Sequence, residues 1–257
     1  MRAAITVARQ EVQLLFGTLL VPMILYLVMP LAILAFVEGG FSIFLSQSDP
    51  GMGFSGADLA APGQATMFGF MCLGVLGFLF LGEFGWGTWN RIRALGVPTW
   101  QIMAGKLAVS YVYQWVLFGF VMGAGYVLFD LSVRGSLVAL LAVEAIMALV
   151  IVGYGLIACA LSTNQAQFNA FAYLGALVMA GLGGALTPFE TLPGWAQAIA
   201  PAVPTYWAVR AFEEIILQGG GLADVRLEMA VLALFALCFF IVGALLLNPD
   251  RQRTTWA

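Results

Sequence analysis

Arg91, Arg93 and Lys106 stand close together among Trp86, Trp89 and Trp100, in and around the stretch Gly87 to Lys106 that joins two apolar runs. Guanidinium groups and large aromatic rings at this density suit charge-assisted contacts and anchoring, against another protein or at a lipid edge. Glu83 ends the apolar run before this stretch. It either helps the chain turn at an interface or pairs with one of the cations that follow.

A second chemical feature is Glu144, well inside a long apolar run. An acid at such depth costs about 2.5–3.5 kcal/mol on insertion scales and tends to mark a pathway or a partner. It reads either as a carboxyl lining a cation or proton route or as a carboxyl hydrogen-bonded to a neighbouring helix.

Other chemistries are excluded or unsupported. The chain has no histidine, which removes His-based proton shuttles, Ser-His and Cys-His nucleophile pairs and the usual zinc sites. Cys72, Cys159 and Cys238 sit at unrelated spacings inside apolar runs, and read as small core residues rather than metal or redox ligands. No metal site is expected. A phosphate-binding loop needs G-x-x-x-x-G-K-[ST]. The one Gly-Lys pair, Gly105–Lys106, is followed by Leu107 and has Trp100 where the first glycine belongs.

The elements that must position these residues follow from composition. The 257 residues are 62% hydrophobic and 9% charged, where a soluble domain carries about 25% charged residues. An integral membrane protein is the class that fits. Runs of about 20 apolar residues span the ~30 Å hydrocarbon core as helices, and no alternating period suggests barrel strands. Six spans are expected, over 16–37, 65–82, 107–129, 137–161, 168–186 and 227–247. The first is too long for a signal-peptide core and no A-x-A site follows it, so it is expected to remain in the protein.

Ser46 to Gln64 reads as a loop, rich in Gly, Pro, Ser and Asp. Residues 1–15 suit a short amphipathic helix on the inner membrane surface. In the segment 187–226, Pro188, Pro193, Pro201 and Pro204 punctuate two short helices, near 193–200 and 204–218, that dip back toward the outer leaflet. Small residues recur as Ala172, Ala176, Ala180 and Gly184, and as Gly119-x-x-x-Gly123. Such stripes let helix backbones approach, within one chain or, along span five, across a dimer.

Orientation follows from the cations. With the N-terminus inside, the inner segments hold Arg2, Arg9, Arg91, Arg93, Lys106, Arg251 and Arg253, against Arg134, Arg210 and Arg226 outside. This positive-inside bias puts both termini and the Gly87–Lys106 stretch in the cytoplasm.

So organised, the chain resembles the ABC-2 type membrane permeases, the transmembrane subunits of a class of ABC exporters. The resemblance is carried by Glu83 before Gly87-Thr88, an Arg-bearing helix over Asn90–Leu95, Gly96-Val97-Pro98, Gln101-Ile102 and Gly105-Lys106. Further on, Asn164-Gln165-Ala166-Gln167, Gly183-Gly184 before Pro188, Leu192-Pro193-Gly194-Trp195 and Pro204 also fit. It extends over essentially the whole chain, 1–257, as a single all-α transmembrane domain. At positions 84–86 the chain reads Phe-Gly-Trp, where family members commonly carry charge.

The resemblance implies that 83–106 is a cytoplasmic coupling loop. In it Glu83, Thr88, Trp89, Arg91, Arg93 and Trp100 would form or support the surface that meets an ATPase subunit. It implies two ATPase chains and a second permease chain, identical or paralogous, with ATP and Mg on the ATPase and no cofactor or nucleic acid on this one. The path would lie between the permeases, with spans two and five, for their glycines and small-residue stripes, as candidates for path or dimer walls. Pro193, Trp195 and Trp207 of the outer helices would belong to its extracellular gate. A bacterial cytoplasmic membrane is the expected setting, and lipids, hydrophobic drugs or lipid-linked glycans the expected cargo. The other reading is an ion-gradient-driven secondary transporter with Glu144 as its coupling site. Against it, no inverted repeat is visible. An intramembrane enzyme would need catalytic pairs that the composition lacks.

Overall fold

A computed structural model describes residues 6–7, 9–10, 12–13, 20–48 and 55–247. The expected interfacial helix over 1–15 therefore lies largely outside the described residues. Those described form helices joined by turns and two short 3-10 segments, with no strands among them. The helices are α1 (Leu20–Ser48), α2 (Gly56–Met71), α3 (Gly74–Gly85), α4 (Thr88–Ala94), α5 (Thr99–Leu128), α6 (Leu137–Leu161), α7 (Gln165–Leu182), α8 (Gly194–Ile199), α9 (Pro204–Ile216) and α10 (Arg226–Leu246).

By length and composition, α2 with α3, α5, α6 and α10 can each cross a membrane, and α1 contains a shorter apolar stretch, Leu27–Ile43. Helix α7 is also short, and its first turns carry Gln165, Gln167 and Asn169.

The largest departure from the sequence reading is at Ser46 to Gln64. Instead of a loop throughout, Ser46–Ser48 end α1 and Gly56–Gln64 are the first turns of α2. Tertiary contacts override the turn-prone composition. The Asp58 carboxylate accepts the Ser55 backbone N–H at 2.9 Å, one half of a capping box. The Asp58 carboxylate also accepts the Ser132 backbone N–H at 2.7 Å, which ties the start of α2 to the connection between α5 and α6. Gly56 lies so close to α1 that a Cβ there would be 2.0 Å from the Glu38 carbonyl oxygen. Only glycine permits this approach.

Helices α2 and α3 are two halves of one span, broken at Cys72–Leu73. The break tightens the turn, because Leu73 N–H donates to the Phe70 carbonyl at 3.2 Å. The Gly69 carbonyl instead accepts from Gln114 Nε2 of α5 at 2.8 Å. A polar side chain from a neighbouring helix thus replaces the lost helical bond, as burial in an apolar bundle requires. This broken span is the most enclosed of the four, so it forms the core of the chain rather than an exposed wall.

The Ala172, Ala176 and Ala180 stripe of α7 is buried within the chain. It serves packing inside the chain and is not available to a second copy. Helices α6 and α10 approach through Gly153 and Gly243, where an added Cβ would be 3.0 Å from Phe239 and 2.8 Å from Leu156.

Candidate functional site

The stretch between α3 and α5 folds as one tight unit. Gly87 (φ +67°) and Gly96 (φ +74°) bracket α4, both in left-handed conformations that favour glycine. Between them Trp89 and Ile92, three residues apart, form the inner face of α4. Trp89 is only 3% exposed. Its ring stacks on Phe84 with centroids 4.8 Å apart, and meets Phe80 edge-on at 6.2 Å. Trp89 therefore cannot serve as an outward anchor for a partner, as the sequence suggested; it fixes α4 to α3. Arg91 and Arg93, with Asn90 and Leu95, remain on the exposed side.

Beneath α4 lies a buried ion pair. Lys106 Nζ of α5 is 3.1 Å from Glu83 Oε1 of α3, and donates to the Leu79 carbonyl at 2.6 Å. The Thr88 hydroxyl donates to the other Glu83 carboxylate oxygen, Oε2. Of the two readings of Glu83, pairing with a following cation is the observed one. The partner is Lys106 rather than either arginine. Lys106 is thus the residue of the site that spacing alone did not assign. A pair this deep is geometrically specific, and removing one member leaves an uncompensated charge. The three groups join the end of α3, the start of α4 and the first turns of α5 in one knot.

Trp100 is 65% exposed. It lines an apolar groove of about 440 Å³ with Met103, Leu107, Leu156, Phe240 and Leu247, between α5, α6 and α10.

At the far end of the bundle, α8 carries Trp195 outward at 66% exposure, with Pro193 as its N-terminal boundary residue. Helix α9 buries Ala208, Phe212 and Ile215 against the bundle. The Thr205 hydroxyl donates to the Met179 carbonyl of α7. Trp207 is half-buried and its indole N–H donates to the Pro201 carbonyl at 3.0 Å, closing the turn between α8 and α9. Arg210 lies over the rings of Tyr206 and Trp207, 5.6 and 6.0 Å from their centroids. Burial, reinforced by the nearby Glu190 charge, raises the Glu213 carboxyl to about 7, with Arg210 opposing.

Glu144 on α6 is 1% exposed, and neither of its carboxylate oxygens has a hydrogen-bond donor among the described residues. The reading that made it a hydrogen-bonded structural carboxyl is not what the structure shows.

With the geometry described, the relatives can be compared. Residues 1–217 match the ABC-2 type transporter family. The chain belongs to that family. Its members are membrane subunits without a nucleotide-binding site of their own, and this chain is a multi-pass membrane protein. It is 28% identical over 157 residues to the linearmycin resistance permease protein LnrN of Bacillus subtilis (strain 168), covering 61% of this chain and 40% of that protein. It is 26% identical over 134 residues to the probable multidrug ABC transporter permease YbhR of Escherichia coli (strain K12), covering 51% of this chain and 35% of that one. The match thus spans less than half the length of either relative.

Proposed function

We propose that this chain is the permease half of an ATP-driven exporter, and that α4 is the surface through which a separate ATPase subunit moves it. In this reading the chain crosses the membrane six times with both termini in the cytoplasm, which puts α4 at the inner membrane face. The carrying observation is the buried Glu83–Lys106 pair with Thr88, which ties α4 to two helices at once. A short helix can transmit force only if it cannot rotate independently of the spans behind it. Stacking of Trp89 on Phe84 adds to that rigidity, while Arg91 and Arg93 stay outward for charge-assisted contacts.

The working unit in this reading is two permease chains with two ATPase chains, which carry the ATP and Mg. ATP biases inward and outward states by binding one better than the other. The outer helices α8 and α9, with Pro193, Trp195 and Trp207, close the path outside. The relatives named for linearmycin resistance and multidrug transport favour an apolar or amphipathic drug-like cargo over a glycan. Gentle solubilisation of the tagged chain from its native membrane tests the reading. A stoichiometric soluble protein with a Walker A motif is expected to accompany it. A chain that comes out alone and moves solute in liposomes without ATP overturns the proposal.

A further inference from the structure

Among the described residues, no helix packs on the Gly119-x-x-x-Gly123 stripe of α5. A Cβ built on either glycine meets nothing within 4 Å. Both glycines instead line a cavity of about 400 Å³ between α5 and α6, near the end where these helices are joined. Its other walls include Tyr126, Leu140 and Leu141, and Glu144 is the one acidic residue among those that line it. Glu144 lies seven residues into α6, which is about 10 Å along the helix from its start. Arg134, exposed in the joining segment, is not part of the wall.

Burying a carboxylate without a donor is unfavourable, by several kcal/mol for an isolated ion after relaxation. Helix-packing glycines normally let a neighbouring backbone approach; here the space they leave is open. Together the two features describe an apolar slot with one acid in its lining and, among the described residues, no cation in its wall to neutralise it. Lys106, the one Lys or Arg inside the four candidate spans apart from Arg226 at the first position of α10, is paired with Glu83.

We infer that this cavity is a binding site for a monocationic amphiphile, whose charged head meets Glu144 and whose apolar body lies along Gly119 and Gly123. In the present conformation the carboxylate oxygens are closed to solvent. The side chain turns toward the ligand on binding, into the room the glycines leave. The site rests on α5 and α6 alone and does not depend on the export reading.

The test uses the purified full chain in phosphatidylglycerol nanodiscs, with radiolabelled tetraphenylphosphonium as the probe, and no ATPase or nucleotide. Saturable binding is expected, displaced by dodecyltrimethylammonium and not by dodecanol. Glu144→Gln lowers affinity by about tenfold or more. Gly123→Leu, whose side chain enters open space, abolishes binding while the chain keeps its elution profile. Adding the lysyl ester of phosphatidylglycerol, a lipid of net single positive charge, to the discs separates two sources of the same chemistry: competition makes the lipid headgroup the natural occupant, and no competition makes it a free amphiphile. Equal binding by Glu144→Gln, or equal displacement by dodecanol, overturns the inference. So does a disulfide-linked dimer of Gly123→Cys without probe binding, which would make this face an interface between copies.

Discussion

Two glutamates in this chain are almost equally buried, Glu83 at 3% exposure and Glu144 at 1%, and their surroundings are opposite. Glu83 has a lysine and a threonine hydroxyl on its carboxylate, and that lysine also satisfies the Leu79 carbonyl. Glu144 has neither cation nor hydrogen-bond donor among the described residues, and lines a cavity. Burial alone does not tell a structural acid from a binding one. What the carboxylate already holds separates the two: the satisfied pair ties helices together, and the unsatisfied acid is the one inferred above to meet a ligand.

The sharpest way to break the comparison is to make Glu83 resemble Glu144. Lys106→Met leaves Glu83 buried without its cation and is expected to cost about 3–5 kcal/mol. Thermal unfolding in detergent reads this as a large drop in midpoint. The double variant Glu83→Gln with Lys106→Met removes both charges and recovers most of the loss. If the double variant is as unstable as the single one, packing at Lys106 and not the charge holds the knot.

Trp89→Ala removes the ring between α3 and α4 and costs about 3 kcal/mol, at the low end for aromatic truncation because α4 lies at the edge of the bundle. Trp89→Phe keeps the stacking and recovers much of it. Protease accessibility of α4 in the assembled membrane checks that the helix has come loose, and unaltered protection contradicts the anchoring role.

A third carboxylate, Glu213 on α9 outside the spans, gives the smallest and most graded effect. Its carboxyl is raised from 4.5 to about 7 by burial and by Glu190. The folded chain therefore holds this proton more tightly than the unfolded one does. Stability from this group is present below pH 4.5 and is lost as pH rises through about 7. Glu213→Gln is expected to flatten the dependence of the unfolding midpoint across that window. An unchanged slope means other groups govern it.

How much of this was legible in the sequence depends on how local the cause is. The span 137–161 was read to the residue, and 227–247 lies one residue from Arg226–Leu246. Both are uninterrupted apolar runs with clear polar ends. The two outer helices were found because proline opens each of them. The short connection between α3 and α5 stands out in the sequence by its cations and glycines.

Distant contacts stayed hidden. Gly56–Gln64 looks like a loop because its glycines, proline and aspartate favour turns, whereas Ser132 and the backbone of α1, distant in sequence, pack against it as a helix. Trp89 differs from exposed Trp100 through Phe80 and Phe84, which lie on another helix. Lys106 is paired across a separation of 23 residues, which no periodicity reports. The glycines at 119 and 123 have the spacing of a packing stripe, and only the absence of a neighbour shows that they open a cavity.

In the proposed function α4 receives the force of an ATPase, and the knot beneath it passes that force to the spans. The most direct measurement is ATP-driven transport in proteoliposomes by the assembled transporter carrying Arg91→Glu and Arg93→Glu, with insertion and unfolding midpoint followed in parallel. Both side chains are exposed, so the account predicts normal insertion, an unchanged midpoint and transport reduced to background. Transport at the wild-type rate would contradict it and place the coupling surface elsewhere.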